Sequence, residues 1–181
     1  SPAQEYIGRV EIIDIGIPGG LSAEKAQSEG EVITASAASE ISGMLHPRLH
    51  DDYKNRFGHL LVIAGSAGMS GAAVLSGRAA LRAGAGLVTV AVPASLAGQV
   101  AMQEPSCMTL PVPDDRRGYF TASAGDFLQE RCGMFDAVAL GPGCGRADAT
   151  IQMVNNLVTH CRVPIVIDAD GLYALSERRE A

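Results

Sequence analysis

Three short stretches hold the residues whose types and spacing can do chemistry: GSAGMSGAA (Gly65 to Ala73), LGPGCG (Leu140 to Gly145) and IDADGL (Ile167 to Leu172). In the first, glycines fall at 65, 68 and 71, and small residues open the segment that follows. A helix starting there exposes unpaired backbone N–H groups, which suit an anion or a polar ligand. Gly71 and Ala72 carry little bulk, so a ligand can approach the backbone. The same small residues also let a helix pack tightly on a sheet, and the sequence leaves both readings open. Neither standard phosphate-binding pattern fits: the lysine of a Walker A loop is missing, and the glycine spacing is not G-x-G-x-x-G.

In LGPGCG, Pro142 between two glycines makes a rigid turn with bare backbone on either side, suited to a flat ring or a phosphate, or simply to a tight turn. In IDADGL, Asp168 and Asp170 flank Ala169. In a strand they point to one side, a pair suited to metal or hydroxyl contacts; alternatively, one of them caps the following helix. Lys54, in YKNRFGH, stands just before an apolar run and is one of only two lysines. In GAG, Gly84 reads as a helix C-cap. The four histidines (46, 50, 59 and 160) have no matching partners, and no metal site is expected. The four cysteines form no CxxC pair and read as reduced, mostly buried thiols.

These stretches need elements to hold them. Leu60 to Ala64 reads as a buried parallel strand, Gly65 to Ser70 as a turn, Gly71 to Ala83 as a helix and Leu87 to Val92 as a second buried strand. Ala94 to Gln103 reads as helix, Cys107 to Leu110 as strand and Ser123 to Arg131 as helix. FDAVALG, ending at Gly141, is a strand, Ala147 to Cys161 a helix, VPIVIDAD a strand, and Leu172 to Arg179 opens another helix. Strand alternating with helix predicts an α/β fold with a mainly parallel sheet and right-handed crossovers. Before it, VEIIDIGI reads as a strand, residues 22–43 as a linker or loose helix, and a boundary is expected near residue 45. A parallel sheet carrying its ligand loops at one edge normally continues past such a point, so the chain reads as the first part of a larger domain.

The composition narrows the class. Of the 181 residues, 47% are hydrophobic and 19% charged, as in a globular protein with a real core. With four Phe, four Tyr and no Trp, that core must rest on Ala, Val, Leu and Ile. A net charge of -6 and the lack of a basic stripe argue against nucleic acid. No apolar run nears membrane-spanning length and the first residues show no signal-peptide pattern, so a cytoplasmic location is the default.

The pieces occur together in one family. KNRFGHLLVIAGSAGMSGAAVLSGRAALRAGAGLVTVAVP resembles the opening of the ADP/ATP-dependent NAD(P)H-hydrate dehydratases, and FDAVALGPGCG and PIVIDADGLYAL resemble the family's next two signatures, in order. The resemblance covers about residues 46 to 176. VEIIDIGIP resembles the end of the epimerase domain that precedes the dehydratase in bifunctional members. What this implies is a ribokinase-like three-layer α/β fold, with residues 1–45 closing an epimerase domain and residues 46–181 forming the N-terminal portion of the dehydratase domain. The implied reaction repairs hydrated NADH or NADPH (NADHX, NADPHX) with ADP or ATP and Mg2+. The hydroxyl is phosphorylated, phosphate leaves and the reduced nicotinamide returns.

By resemblance, Ala72 and Gly143 contact the hydrated nucleotide, with Gly71 beside them; Asp168, Asp170 and Lys54 match family positions of less defined role. Cys144 replaces a more usual Leu, a small change between hydrophobes. The family's Pro-His, Lys-Gly and Gly-Thr-Gly-Asp segments, the last supplying the catalytic Asp, are not in these residues. The 181-residue chain is therefore expected to be inactive alone and to need the remainder of its domain, and a homo-oligomer is implied. Two other readings stand beside this one: a different ribokinase-like small-molecule kinase, or a non-catalytic nucleotide-binding module.

Overall fold

A computed structural model describes residues 41–43 and 50–177. The expectations for residues 1–20, for most of 22–43 and for a boundary near residue 45 fall outside the described residues. From His59 onward the chain runs β1 (His59–Ile63), α1 (Ser70–Ala83), β2 (Leu87–Pro93), α2 (Ala97–Gln103), β3 (Met108–Val112), α3 (Ala124–Cys132), β4 (Ala137–Leu140), α4 (Asp148–His160), β5 (Ile165–Ile167) and α5 (Asp170–Ser176). Short 3-10 turns precede β1 (Lys54–Phe57) and α2 (Ala94–Leu96). The predicted alternation is therefore present. The last strand is shorter than VPIVIDAD suggested, ending at Ile167.

The five strands form one sheet in the order β3-β2-β1-β4-β5, with every pairing parallel. Strands covered on both faces must be largely apolar, which is why HLLVI and LVTVAVP read as hydrophobic runs in which only His59 and Thr89 are polar, and those two hydrogen-bond to each other at 2.8 Å. Alternation along β1 sends Leu61 and Ile63 into a cluster with Leu128 of α3 and Met153 and Leu157 of α4. Val62 and Ala64 join the opposite cluster, with Ala73 and Val74 of α1 and Val100 of α2. The result is three layers, helix on sheet on helix.

Small residues bring α1 close to this sheet. A Cβ on Gly77 would lie 2.8 Å from Val90 Cγ2 and 3.1 Å from Cys107 Sγ. As expected, Gly84 closes α1, with φ 112° and its N–H directed at the carbonyls of Ala80 and Leu81. Gly86 has a separate reason. Its N–H donates to Phe57 O and the Leu87 N–H donates to Gly58 O, docking the Lys54 segment against the start of β2. A Cβ there would meet Lys54 O at 1.7 Å.

All four cysteines are free thiols and three are buried. Burial pushes the Cys144 thiol up to about 12 from 9.0, so it stays neutral.

Two outcomes follow. Gly84→Ala has only the left-handed backbone to resist it and should cost about 1 kcal/mol. Gly86→Ala must displace backbone and should cost about 3 kcal/mol; urea unfolding midpoints of both variants check the order. For Cys144, the unfolded thiol ionises above pH 9 while the folded one does not, so its contribution is complete below pH 9 and is lost as pH rises toward 12. At about 1.4 kcal/mol per pH unit, the wild type should lose about 2 kcal/mol more than Cys144→Ala between pH 8 and 10.5 in urea titrations. Parallel losses would contradict it.

Candidate active-site crevice

The sheet order reverses between β1 and β4, because the chain moves from β1 toward β2 and β3 on one side and later to β4 and β5 on the other. In open α/β sheets, ligands bind outside the carboxyl ends of the strands at such a switch point. GSAGMSGAA follows β1 and LGPGCG follows β4, so both glycine-rich turns emerge there.

The turns touch through backbone. Gly65 N–H donates to Pro142 O at 2.9 Å, and Gly141 N–H donates to Ile63 O at 3.0 Å. Gly143 (φ 66°) packs on the start of α1: a Cβ there would lie 2.8 Å from Ala72 Cβ and 3.1 Å from Met69 O. Ala72 and Gly143, singled out separately, therefore pack against each other at this edge.

The two readings of the first turn divide by residue. At Gly65 packing explains the glycine, since its Cβ would sit 3.1 Å from Ala73 Cβ at φ 79°. At Gly71 packing does not: the residue is exposed and a Cβ would meet nothing within 4 Å. No side chain caps the N-terminus of α1, and its first turn holds no acidic residue. The dipole there favours negative charge. Ser66, inside the same turn, is 0% exposed and its hydroxyl has no hydrogen-bond partner. Such an orphan costs about 1–3 kcal/mol and is a donor pointed at nothing in the protein.

The acidic pair needs correction. The strand ends at Ile167, so alternation does not apply to Asp168 and Asp170. Nor does either cap α5: the N-cap position is Ala169, with no side-chain cap. Asp168 is exposed, whereas Asp170 is buried. Ala169 between them has φ 48°, ψ -118°, a strained conformation for a residue with a Cβ, costing of order 1–3 kcal/mol. Asp170 turns back into the fold, where it accepts Gly145 N–H and Arg146 Nε–H, both at 3.0 Å. Arg146 also lies over the Tyr173 ring at 4.5 Å. Gly171 closes the join, with its N–H on Asp168 O, while Asp168 N–H donates to Leu140 O.

Lys54 stands apart. It is exposed and lies before β1, at the amino ends of the strands. The length of β1, about 16 Å at 3.3 Å per residue, separates that edge from the crevice. Its segment serves the docking against Gly86 instead. Five of the six residues singled out are thus brought to one edge and the sixth is not. Sequence reading missed Ser66, Arg146 and Tyr173. Ser66 lay within a quoted turn, and Arg146 immediately after one, but neither type nor spacing marked them. A third loop also reaches the crevice: Gly118 O accepts the Ala67 N–H at 2.8 Å.

Comparison with known proteins places this geometry. The family described as NAD(P)H-hydrate dehydratase matches residues 60–181. A bifunctional NAD(P)H-hydrate repair enzyme of Moorella thermoacetica is 39% identical over 175 residues, covering 97% of this chain and 32% of the relative. One from Salinibacter ruber is 37% identical over 170 residues, covering 93% and 31%. The chain therefore spans about a third of the length of these curated relatives.

Among solved structures, a ribokinase-like superfamily protein of Enterococcus faecalis superposes with TM-score 0.64 at 21% identity, over 81% of this chain and 51% of that one. The ADP/ATP-dependent NAD(P)H-hydrate dehydratase of Bacillus subtilis, co-crystallised with ATP and Mg2+, gives 0.55 at 22% identity, over 74% and 45%. At such identity these two show the fold alone, which is ribokinase-like. With the matched residues running from β1 through α5, the chain belongs to the NAD(P)H-hydrate dehydratase family.

Proposed function

We propose that this chain carries the hydrate-binding part of a nucleotide-dependent dehydratase that restores NADH and NADPH from NADHX and NADPHX. The observation that carries this reading is the meeting of the two glycine-rich turns, Ala72 against Gly143, at the switch point of a sheet in this family. The substrate has gained water across a nicotinamide double bond. Hydroxide leaves poorly and phosphate leaves well, so a phosphoryl group from ADP or ATP makes the elimination feasible. The work left to the protein is positioning and charge stabilisation.

In this reading Gly143 and Ala72, packed against each other, form one wall of small residues on which a flat ring can lie, with bare backbone on the Gly143 side. The uncapped N–H groups at Ser70 and Gly71 receive an anionic part of the dinucleotide. The Ser66 hydroxyl is a buried side-chain donor in that turn without a partner in the protein. Asp168 is exposed at the same edge. Lys54 has no part in it.

The described residues do not build a metal cage: no three His, Cys, Asp or Glu side chains among them cluster as ligands. Mg2+ then belongs with the nucleotide phosphates, and with the remainder of the domain, which also supplies the catalytic acid/base. Residues 1–45 are read as the end of a preceding epimerase domain and residues 46–181 as the N-terminal portion of the dehydratase domain, a reading supported by relatives named as bifunctional. Among the described residues no helix is long and apolar enough to cross a membrane; a cytoplasmic homo-oligomer completes the proposal.

An optical assay tests it. The full-length parent and the 181-residue chain each receive hydrated NADH, Mg2+ and ADP or ATP, and the absorbance of reduced nicotinamide is followed. Return with the parent only is expected. Return with the 181-residue chain alone would contradict the need for the remainder of the domain. A stable phosphorylated product would make the protein a kinase, and no change with either would sink the dehydratase reading.

A further inference from the structure

The loop from Gly141 to Arg146 is gripped from two sides. On one side it meets GSAGMSGAA through Gly65 N–H and the Ala72–Gly143 contact. On the other it meets IDADGL so closely that a Cβ on Gly141 would lie 2.0 Å from Asp168 O, and one on Gly171 would lie 3.0 Å from Leu140 O. All of these are backbone or methyl contacts, and none carries charge. Asp170 supplies the charged one. Its carboxylate, with 11% of the side chain exposed, takes Gly145 N–H on Oδ2 and Arg146 Nε–H on Oδ1.

Tyr173, three residues along α5 and so on the same face, lies against the Arg146 guanidinium. α5 therefore holds the two loop residues immediately past Gly143 and Cys144 with a carboxylate and a ring. The strained backbone at Ala169 is what turns Asp170 into the fold, while Asp168 stays outside. Strain of this kind concentrates where geometry has to be held for function. A carboxylate this buried, with both oxygens already accepting hydrogen bonds, is poorly placed to receive a ligand as well.

We infer that Asp170 is a positioning residue: with Arg146 and Tyr173 it fixes the loop bearing Gly143 against Ala72, and so sets affinity for the hydrated dinucleotide without touching it. This rests on the function proposed above. A sub-ångström shift at Gly143 changes its packing on Ala72 and the surface the two present, so the effect falls on binding of the hydrate rather than on phosphoryl transfer.

Two variants test it. Asp170→Asn keeps an oxygen for Gly145 N–H but removes the charge that holds Arg146. Arg146→Gln alters a side chain that is 63% exposed and should leave folding intact. In the full-length parent, Asp170→Asn should raise KM for the hydrated dinucleotide about tenfold, and Arg146→Gln about threefold. kcat and the KM for ADP or ATP should stay within about twofold. The double variant should be no worse than Asp170→Asn alone, since both act through one contact.

A fall in kcat at unchanged KM would overturn the proposal, as would a loss of thermal stability with no change in either constant. Amide exchange on the full-length parent separates this from the functional reading. Arg146→Gln should speed exchange of the Gly143–Arg146 amides about fivefold while the β4 amides keep their rates. If the wild-type parent restores no reduced nicotinamide, the functional reading fails, and the exchange result alone decides the positioning role. Unchanged exchange at Gly145 overturns it in either case.

Discussion

The close approach of two backbone turns at the carboxyl ends of β1 and β4 is the constraint on which the rest depends. Gly65 N–H on Pro142 O and Gly141 N–H on Ile63 O hold the turns to each other and to the sheet. Side chains would forbid this: at Gly141, Gly143 and Gly171 a Cβ would come within 3.0 Å of a neighbouring atom. Two parallel strands side by side at a switch point deliver their following loops to one place. The glycines let those loops meet, and Pro142 limits how each can move.

From that meeting the electrostatics follow. α1 starts at Ser70 without a side-chain cap and without an acidic first turn, so its positive end faces the crevice unopposed. A protein of net charge -6 thus carries a local donor surface made largely of backbone. Under the proposed function, such a surface takes an anionic group without a Walker lysine or a dinucleotide fingerprint. Backbone amides need only bare, correctly turned chain, and many sequences supply that.

The strand–helix alternation was legible because strands buried on both faces cannot hide their composition: HLLVI is apolar after His59, and LVTVAVP is apolar but for Thr89. Gly84 was legible because a glycine just after an alanine-rich helix has one common use. Ala72 and Gly143 were legible through the family resemblance, and their mutual contact appears only in the fold. What failed were local rules applied past their range. Period-two alternation was extended through Asp168 and Asp170, but the strand stops at Ile167 and a strained Ala169 sends the two carboxylates to different environments. Gly86, and the Arg146–Asp170–Tyr173 arrangement, depend on partners 24 to 32 residues distant, and no local pattern reports such pairings. Lys54 illustrates the converse, a chemically attractive residue that the topology carries to the opposite edge.

The most direct measurement of the central claim is a crystal structure of the full-length parent with hydrated NADPH bound. The account predicts the dinucleotide at the β1/β4 switch point, with bound atoms within hydrogen-bonding distance of the Ser70 and Gly71 amides and in van der Waals contact with Gly143. Density for the ligand at the amino ends of the strands, beside Lys54, or against neither glycine-rich turn, would contradict it.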